Sequence, residues 1–208
     1  EPTSPFVCPE DISKCQHIID SDNEIDSVQT VTRTPTNAHA YNQRYHDSNG
    51  SNFLFTHERS VSSSKDSKPT LYIHGNLRIT RTESLLKYKS IFGKKSVPLE
   101  ISKIKSIDVD GPEDLEIADF IMSSSPIKTH SVLQADLNYP IKKGDVIGLI
   151  PARGDSKSIP LKNLVLLNGI PLINYVIDSA FRSELLSDIY CSTDNDLIAE
   201  ECQKKAVK

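Results

Sequence analysis

The stretch from Val146 to Lys205 alternates between short apolar runs and amphipathic segments, and this alternation restricts the fold more than any other feature. An apolar run at 146–150 predicts a strand, and Leu172 to Arg182 has the periodicity of an amphipathic helix. Ile189 to Ser192 predicts a buried strand, and Asp196 to Lys205 predicts another helix. Strands that alternate with helices favour a parallel, Rossmann-like sheet with crossover helices. Ligands of such sheets bind beyond the carboxyl ends of the strands.

A turn-forming loop rich in cations follows the first of these strands. Gly154 and Ser156 favour a turn, and Arg153, Lys157 and Lys162 are interleaved with them. Backbone N–H groups and cationic side chains in such a loop can converge on the oxygens of a polyphosphate. The Walker pattern Gly-x-x-x-x-Gly-Lys-Ser/Thr is absent from the sequence. The loop therefore predicts a phosphate site of another kind, and a surface turn with scattered cations is the alternative.

The preceding part of the chain contains a mixture of predicted helices and strands. Helices are predicted at 9–20, 82–89 and 112–122, and strands at 27–32, 53–55, 71–80 and 101–109. Residues 124–145 have weak periodicity and are predicted to be a linker. This divides the chain into residues 1–123, a linker at 124–145, and residues 146–208.

Two aspartates lie near the end of the strand predicted at 101–109. Asp108 and Asp110 are two positions apart, so in an extended segment they point to the same face, with their Cα atoms about 7 Å apart. Paired carboxylates suit Mg²⁺, which takes one or two of them and completes its shell with water and substrate phosphates. The alternative is that Asp110 begins the following helix and Asp108 is solvated.

Composition excludes several classes of function. The chain has 24 Lys and Arg against 28 Asp and Glu, a net charge of −4, so a general nucleic-acid binder is not expected. No apolar run approaches the ~20 residues that span a bilayer, and no membrane association is expected. The first residues lack the pattern of a secretory signal, and the four cysteines contain no C-x-x-C pair. We therefore expect a cytoplasmic protein with reduced thiols.

The string Leu-Ile-Pro-Ala-Arg-Gly-Asp-Ser-Lys-Ser-Ile-Pro-Leu-Lys-Asn at 149–163 resembles the N-terminal signature of the N-acylneuraminate (sialic acid) cytidylyltransferase family. Ser-Ile-Asp-Val-Asp-Gly-Pro-Glu-Asp at 106–114 resembles a C-terminal motif of that family, and Glu-Pro-Thr-Ser-Pro at 1–5 resembles its mid-domain motif. Residues 1 to about 123 thus look like the second half of such a domain, and residues 146–208 like the first half.

The resemblance implies a fold of the nucleotide-diphospho-sugar transferase type, incomplete here. It also implies transfer of CMP from CTP to an acidic 2-keto-3-deoxy sugar, with Mg²⁺ as cofactor and release of pyrophosphate. Arg153, Lys157 and Lys162 would act on the phosphates, Ser156 and Asn163 would bind the nucleotide, Asp108 and Asp110 would hold Mg²⁺, and Thr3 and Ser4 would bind the sugar. A homodimer is an expectation from the resemblance alone.

The inverted order of the two halves leaves three arrangements open: a segment of two tandem domains, a circular permutant, and a recombined gene product. The permutant lacks a family segment that carries another strand, so the tandem segment is favoured. Asp108 and Asp110 would then serve a different site from Arg153 and Lys162. Two other functions also remain: a non-catalytic fragment or association module, favoured by Asp155 where the family has Gly, and a sugar nucleotidyltransferase that uses another nucleotide.

Overall fold

The computed structural model describes residues 1–57, 68–124 and 146–208. The helices are α1 (Pro9–Ser21), α2 (Thr82–Tyr88), α3 (Pro112–Ser124), α4 (Leu172–Arg182) and α5 (Asp196–Lys204). The strands are β1 (Ser27–Arg33), β2 (Arg44–Asp47), β3 (Gly50–Phe53), β4 (Tyr72–Thr80), β5 (Ser96–Glu100), β6 (Val146–Pro151), β7 (Leu166–Leu167), β8 (Ile170–Pro171) and β9 (Leu186–Ser192).

Strands β4, β1 and β5 form a three-stranded sheet in that order. β4 pairs with β1 antiparallel and β5 pairs with β1 parallel. Helix α1 packs on this sheet through Cys15 and Ile19, which contact Ile25 and Val28 in one buried cluster. Burial of these apolar side chains fixes α1 against the sheet.

Strands β6 and β9 form a second, parallel sheet in which Ile150 pairs with Cys191. Helices α4 and α5 cover one of its faces with side chains that include Ile173, Ile177 and Ile198, all fully buried. The predicted α/β class, with parallel strands and crossover helices, is confirmed. Both sheets are small. Within the described residues, no strand pairs the β4–β1–β5 sheet with the β6–β9 sheet.

The two parts of the chain share their hydrophobic cores. Val7 lies in the same buried cluster as Ile150 and Ile173. Phe6 lies in another cluster with Val109 and Ala118 from the first part and with Leu167 and Leu172 from the second. The Oγ of Ser179 also donates to the carbonyl oxygen of Val7 at 2.7 Å. Residues 1–124 and 146–208 are therefore packed together.

Some predicted elements differ from the observed ones. The strand predicted at 101–109 is wrong: β5 lies at Ser96–Glu100, where it pairs with β1, and the chain then turns at 103–106. The turn is held by Asn76, whose Nδ2 donates to the carbonyl oxygen of Lys105 at 2.7 Å. Of the short strand predicted at 53–55, only Phe53 lies in a strand, at the end of the β2–β3 hairpin, which turns at Ser48 and Asn49.

Helix α3 extends to Ser124, the first residue of the predicted linker. The rest of it, 125–145, lies outside the described residues. Among the helices that the structure describes, none has the length and apolarity needed to cross a bilayer.

Candidate functional site

A cavity of about 570 Å³ opens at the carboxyl ends of β6 and β9. Its volume is in the range of ligand pockets. The first part of the chain lines it with Glu1, Pro2, Thr3, Asp108 and Asp110. The second part lines it with Pro151, Ala152, Arg153, Ser156, Lys162, Asn163, Ser192, Thr193 and Asp194. The pocket is thus built from both parts and lies where ligands of parallel sheets bind.

The basic loop is held in place by residues that follow β9. The backbone N–H of Gly154 donates to Oδ1 of Asp194 at 2.7 Å. A Cβ on Gly154 would lie 2.6 Å from the Cβ of Asn195, so the close approach requires glycine. Asn195 in turn caps α5, since its Oδ1 accepts from two backbone N–H groups of the first helical turn. The loop is therefore fixed against the β9–α5 junction, a role of Asp194 and Asn195 that the sequence does not reveal.

Lys162 connects the basic loop to the paired aspartates. It begins a 3-10 turn, and its Nζ lies 3.0 Å from Oδ1 of Asp110. The lysine side chain is 13% exposed and the aspartate 79% exposed. The Oγ of Ser158 also donates to the carbonyl oxygen of Asp110. In this structure the basic loop and the paired aspartates are therefore in direct contact.

Asp108 and Asp110 both line the pocket, and Val109 between them is fully buried. This is the same-face arrangement expected of alternating positions in an extended segment, although the segment is not part of a sheet. Within the described ranges, no group of three or more His, Cys, Asp or Glu side chains could hold a metal ion. Two carboxylates are nevertheless the donor set that Mg²⁺ takes when substrate phosphates complete its shell, so the residues present fit this ion.

The hydroxyls of Thr3 and Ser4 are directed to Asp108. The Oγ1 of Thr3 lies 2.5 Å from Oδ1 of Asp108, and the Oγ of Ser4 lies 3.2 Å from the same oxygen. Thr3 is 8% exposed and lines the pocket, whereas Ser4 is fully buried. Ser4 is therefore placed behind the carboxylate, and its predicted contact with a sugar has no support from this geometry.

The remaining predicted residues of the loop differ in position. Ser156 lines the pocket, whereas the exposed side chains of Lys157 and Asp155 do not belong to its lining. Asn163 is 4% exposed, and its Nδ2 donates to the carbonyl oxygen of Arg153 at 3.0 Å. Its Oδ1 is buried without a hydrogen-bond partner among the described residues. A buried acceptor of this kind is costly unless a ligand supplies a donor.

Glu1 places a further carboxylate in the pocket wall. A hydrogen bond with His74 lowers the pKa of Glu1 to about 2, and the two groups are 3.4 Å apart. The first part of the chain thus contributes three carboxylates to the pocket, and the second part contributes the cations Arg153 and Lys162 together with Asp194, which accepts from the backbone of the loop. This polarity suits a phosphate ligand on the loop side.

Comparison with known proteins identifies the second part of the chain. Residues 147–208 match the family model described as cytidylyltransferase. This segment is therefore similar to the cytidylyltransferase family, and we call it the cytidylyltransferase segment. It contains the basic loop, β9 and α5, and so it contributes all the cations of the pocket lining.

Three relatives illustrate the similarity. The N-acylneuraminate cytidylyltransferase A of Danio rerio is 46% identical over 59 residues, which are 28% of this chain and 14% of the relative. The pseudaminic acid cytidylyltransferase of Campylobacter jejuni is 42% identical over 60 residues, 29% of this chain and 26% of the relative. The 3-deoxy-manno-octulosonate cytidylyltransferase of Bdellovibrio bacteriovorus is 40% identical over 63 residues, 30% of this chain and 26% of the relative. Each match spans about a quarter or less of the relative, so the chain is similar to only a part of those proteins.

Proposed function

We propose that the pocket binds CTP with Mg²⁺, and that the chain is a nucleotidyltransferase that transfers CMP to an acidic 2-keto-3-deoxy sugar. The observation that carries the proposal is the contact between Lys162 and Asp110 at 3.0 Å. Through it, a cation of the cytidylyltransferase segment meets the paired carboxylates of the first part of the chain in one cavity. Related proteins named for sialic, pseudaminic and 3-deoxy-manno-octulosonic acid substrates support an acidic sugar as acceptor.

The proposed reaction is an in-line displacement at the α-phosphorus of CTP. The anomeric hydroxyl oxygen forms a bond to phosphorus, the bond from phosphorus to the pyrophosphate oxygen breaks, and the hydroxyl proton leaves to solvent. Such a transfer needs alignment and neutralisation of charge more than covalent assistance. Mg²⁺, held by Asp108 and Asp110, would supply positive charge at the phosphate oxygens.

The side chains of the second part would bind the nucleotide. Arg153 and Lys162 would neutralise the phosphates, and Ser156 would donate to them. The unpartnered Oδ1 of Asn163 would accept a hydrogen bond from an N–H or O–H of the nucleotide. Lys157 remains a predicted phosphate ligand on the same loop.

Calorimetric titration of the full chain with CTP and Mg²⁺ tests the proposal. We expect Lys162→Ala and Asp108→Ala each to weaken binding about tenfold or more, because each removes a charge that faces the ligand. Lys204→Ala is the matched control, since this lysine pairs with Glu201 on the exposed side of α5. If Asp108→Ala binds like the control, the first part of the chain does not serve this site.

The products distinguish catalysis from nucleotide binding alone. Incubation with CTP, Mg²⁺ and each of the three acidic sugars should yield a CMP-sugar and pyrophosphate. A chain that binds CTP but forms neither product would be a non-catalytic nucleotide-binding module. Tighter binding of another nucleoside triphosphate than of CTP would identify a different nucleotidyltransferase.

A further inference from the structure

We propose that Thr3 and Ser4 are positioning residues that fix the carboxylate of Asp108 for a divalent cation. This inference rests on the proposed function, because it concerns the cation that Asp108 and Asp110 would hold. It assigns to the two hydroxyls a task other than contact with the sugar.

The two hydroxyls act on one atom of Asp108. Both donate to Oδ1, Thr3 at 2.5 Å and Ser4 at 3.2 Å. The part of the chain that the structure describes gives Oδ2 no hydrogen-bond partner, and the aspartate lines the pocket. The carboxylate therefore has one oxygen secured from behind and one available to a cation.

The backbone strengthens this arrangement. The N–H of Val109 donates to the carbonyl oxygen of Thr3 at 3.0 Å, and Val109 is fully buried. Thr3 thus holds both the side chain of Asp108 and the backbone beside it. The torsions of the carboxylate are restricted before a ligand arrives, so less conformational entropy is lost on binding.

The surroundings explain why such restraint is useful. Lys162, 3.0 Å from Asp110, and Arg153 both line the same cavity as Asp108. A free carboxylate could turn toward these cations and form an ion pair in place of a metal bond. Hydrogen bonds from neutral hydroxyls hold the carboxylate without cancelling its charge. Outer partners of this kind are typically worth about 10- to 100-fold in metal affinity.

The experiment measures Mn²⁺ binding to the full chain through the electron paramagnetic resonance signal of the free ion. We expect the double variant Thr3→Val, Ser4→Ala to weaken Mn²⁺ binding about 10- to 100-fold. Thr3→Ser keeps a hydroxyl and should bind Mn²⁺ within about twofold of the wild type. Ser27→Ala is the matched control, since it removes a fully buried hydroxyl that donates to the carbonyl oxygen of Phe92, away from the pocket.

A second readout separates positioning from loss of structure. CTP binding in the presence of EDTA depends on the basic loop and should change by less than about twofold in the double variant. An equal loss of CTP and Mn²⁺ affinity would overturn the inference in favour of a structural role. If the double variant does not fold, Ser4→Ala alone decides: a loss of about threefold or more is expected, and an affinity equal to that of Ser27→Ala overturns the inference.

Asp108→Asn distinguishes failure of this inference from failure of the proposed function. If Asp108→Asn weakens Mn²⁺ binding and the hydroxyl variants do not, the metal site stands and the positioning role is refuted. If Asp108→Asn also leaves Mn²⁺ binding unchanged, the metal assignment itself is refuted and the positioning role with it.

Discussion

The shared core predicts that a substitution in the first part of the chain will destabilise the second part. Phe6 is 6% exposed and packs with Leu167 and Leu172, more than 160 positions away in the sequence. Phe6→Ala removes a buried aromatic ring, which is worth about 1.5–3 kcal/mol for the lost burial alone. The cavity left behind raises the cost to about 3–5 kcal/mol. This is a large fraction of the roughly 5–15 kcal/mol by which domains of this kind are stable.

Urea unfolding followed by circular dichroism measures the loss of stability. Hydrogen exchange followed by mass spectrometry shows which elements it affects. We expect exchange to accelerate in α4 as well as in α3, because both helices contribute to the cluster around Phe6. Phe120→Ala is the matched control: Phe120 is 71% exposed on α3, so its removal should change the free energy of unfolding by at most about 0.5 kcal/mol. The reasoning is refuted if Phe6→Ala accelerates exchange only within residues 1–124, or if it costs no more than Phe120→Ala.

Three further predictions follow from local contacts. Asp110→Ala should change the free energy of unfolding by less than about 1 kcal/mol in urea titrations, because the aspartate of the Asp110–Lys162 ion pair is largely exposed. A larger loss of stability would contradict the prediction. Gly154→Ala should cost about 1–3 kcal/mol and weaken CTP binding in calorimetry, because the new methyl group displaces Asn195. Gly148→Ala should cost less, because its one tight contact, at 3.1 Å, is with the end of the Leu186 side chain. Burial raises the pKa of the Cys8 thiol to about 12 from 9.0. As the pH rises, the unfolded chain therefore loses this proton before the folded chain does, and the urea concentration at the unfolding midpoint should fall between about pH 9 and pH 12. An unchanged midpoint in that range would refute the raised pKa.

Sequence periodicity was sufficient to predict the elements whose formation depends on residues close together in the sequence. The helix from Leu172 to Arg182 agrees with α4 because its apolar face repeats with the helical period. The basic loop after β6 was also predictable, since the apolar run, Gly154 and the cations are contiguous in the sequence. These signals depend on neighbouring residues alone, and so the predicted elements agree with the observed ones.

The strand predicted at 101–109 shows where local signals fail. The apolar residues of that stretch alternate as in a strand, but the pairing with β1 is taken by Ser96–Glu100, and Lys105 is drawn away to Asp11. Its Nζ lies 2.9 Å from Oδ2 of Asp11, a side chain that is only 3% exposed. A buried carboxylate needs such a partner. The ion pair of Lys105 with Asp11, which is distant in the sequence, outweighs the local preference for a strand.

The composite site could be predicted only in part for a related reason. Each half of the site carries a signal of its own, phosphate binding at 149–163 and paired carboxylates at 108–110. The contact between them joins Lys162 to Asp110, 52 positions apart in the sequence, and no spacing rule describes packing over such a separation. Thr3 illustrates the consequence: the family resemblance implies a sugar contact, and only the fold shows that its hydroxyl lies 2.5 Å from Asp108.

The two halves are joined by apolar and polar contacts of different kinds. Here Phe6 and Val7 are each buried against side chains of residues 146–208, and the pocket walls come from both halves. Apolar burial is non-directional, but the polar contacts are not: the hydroxyl of Ser179 meets the carbonyl of Val7, and Lys162 meets Asp110. Because these contacts require matched positions rather than mere proximity, they define how residues 1–124 and 146–208 together form the walls of the pocket.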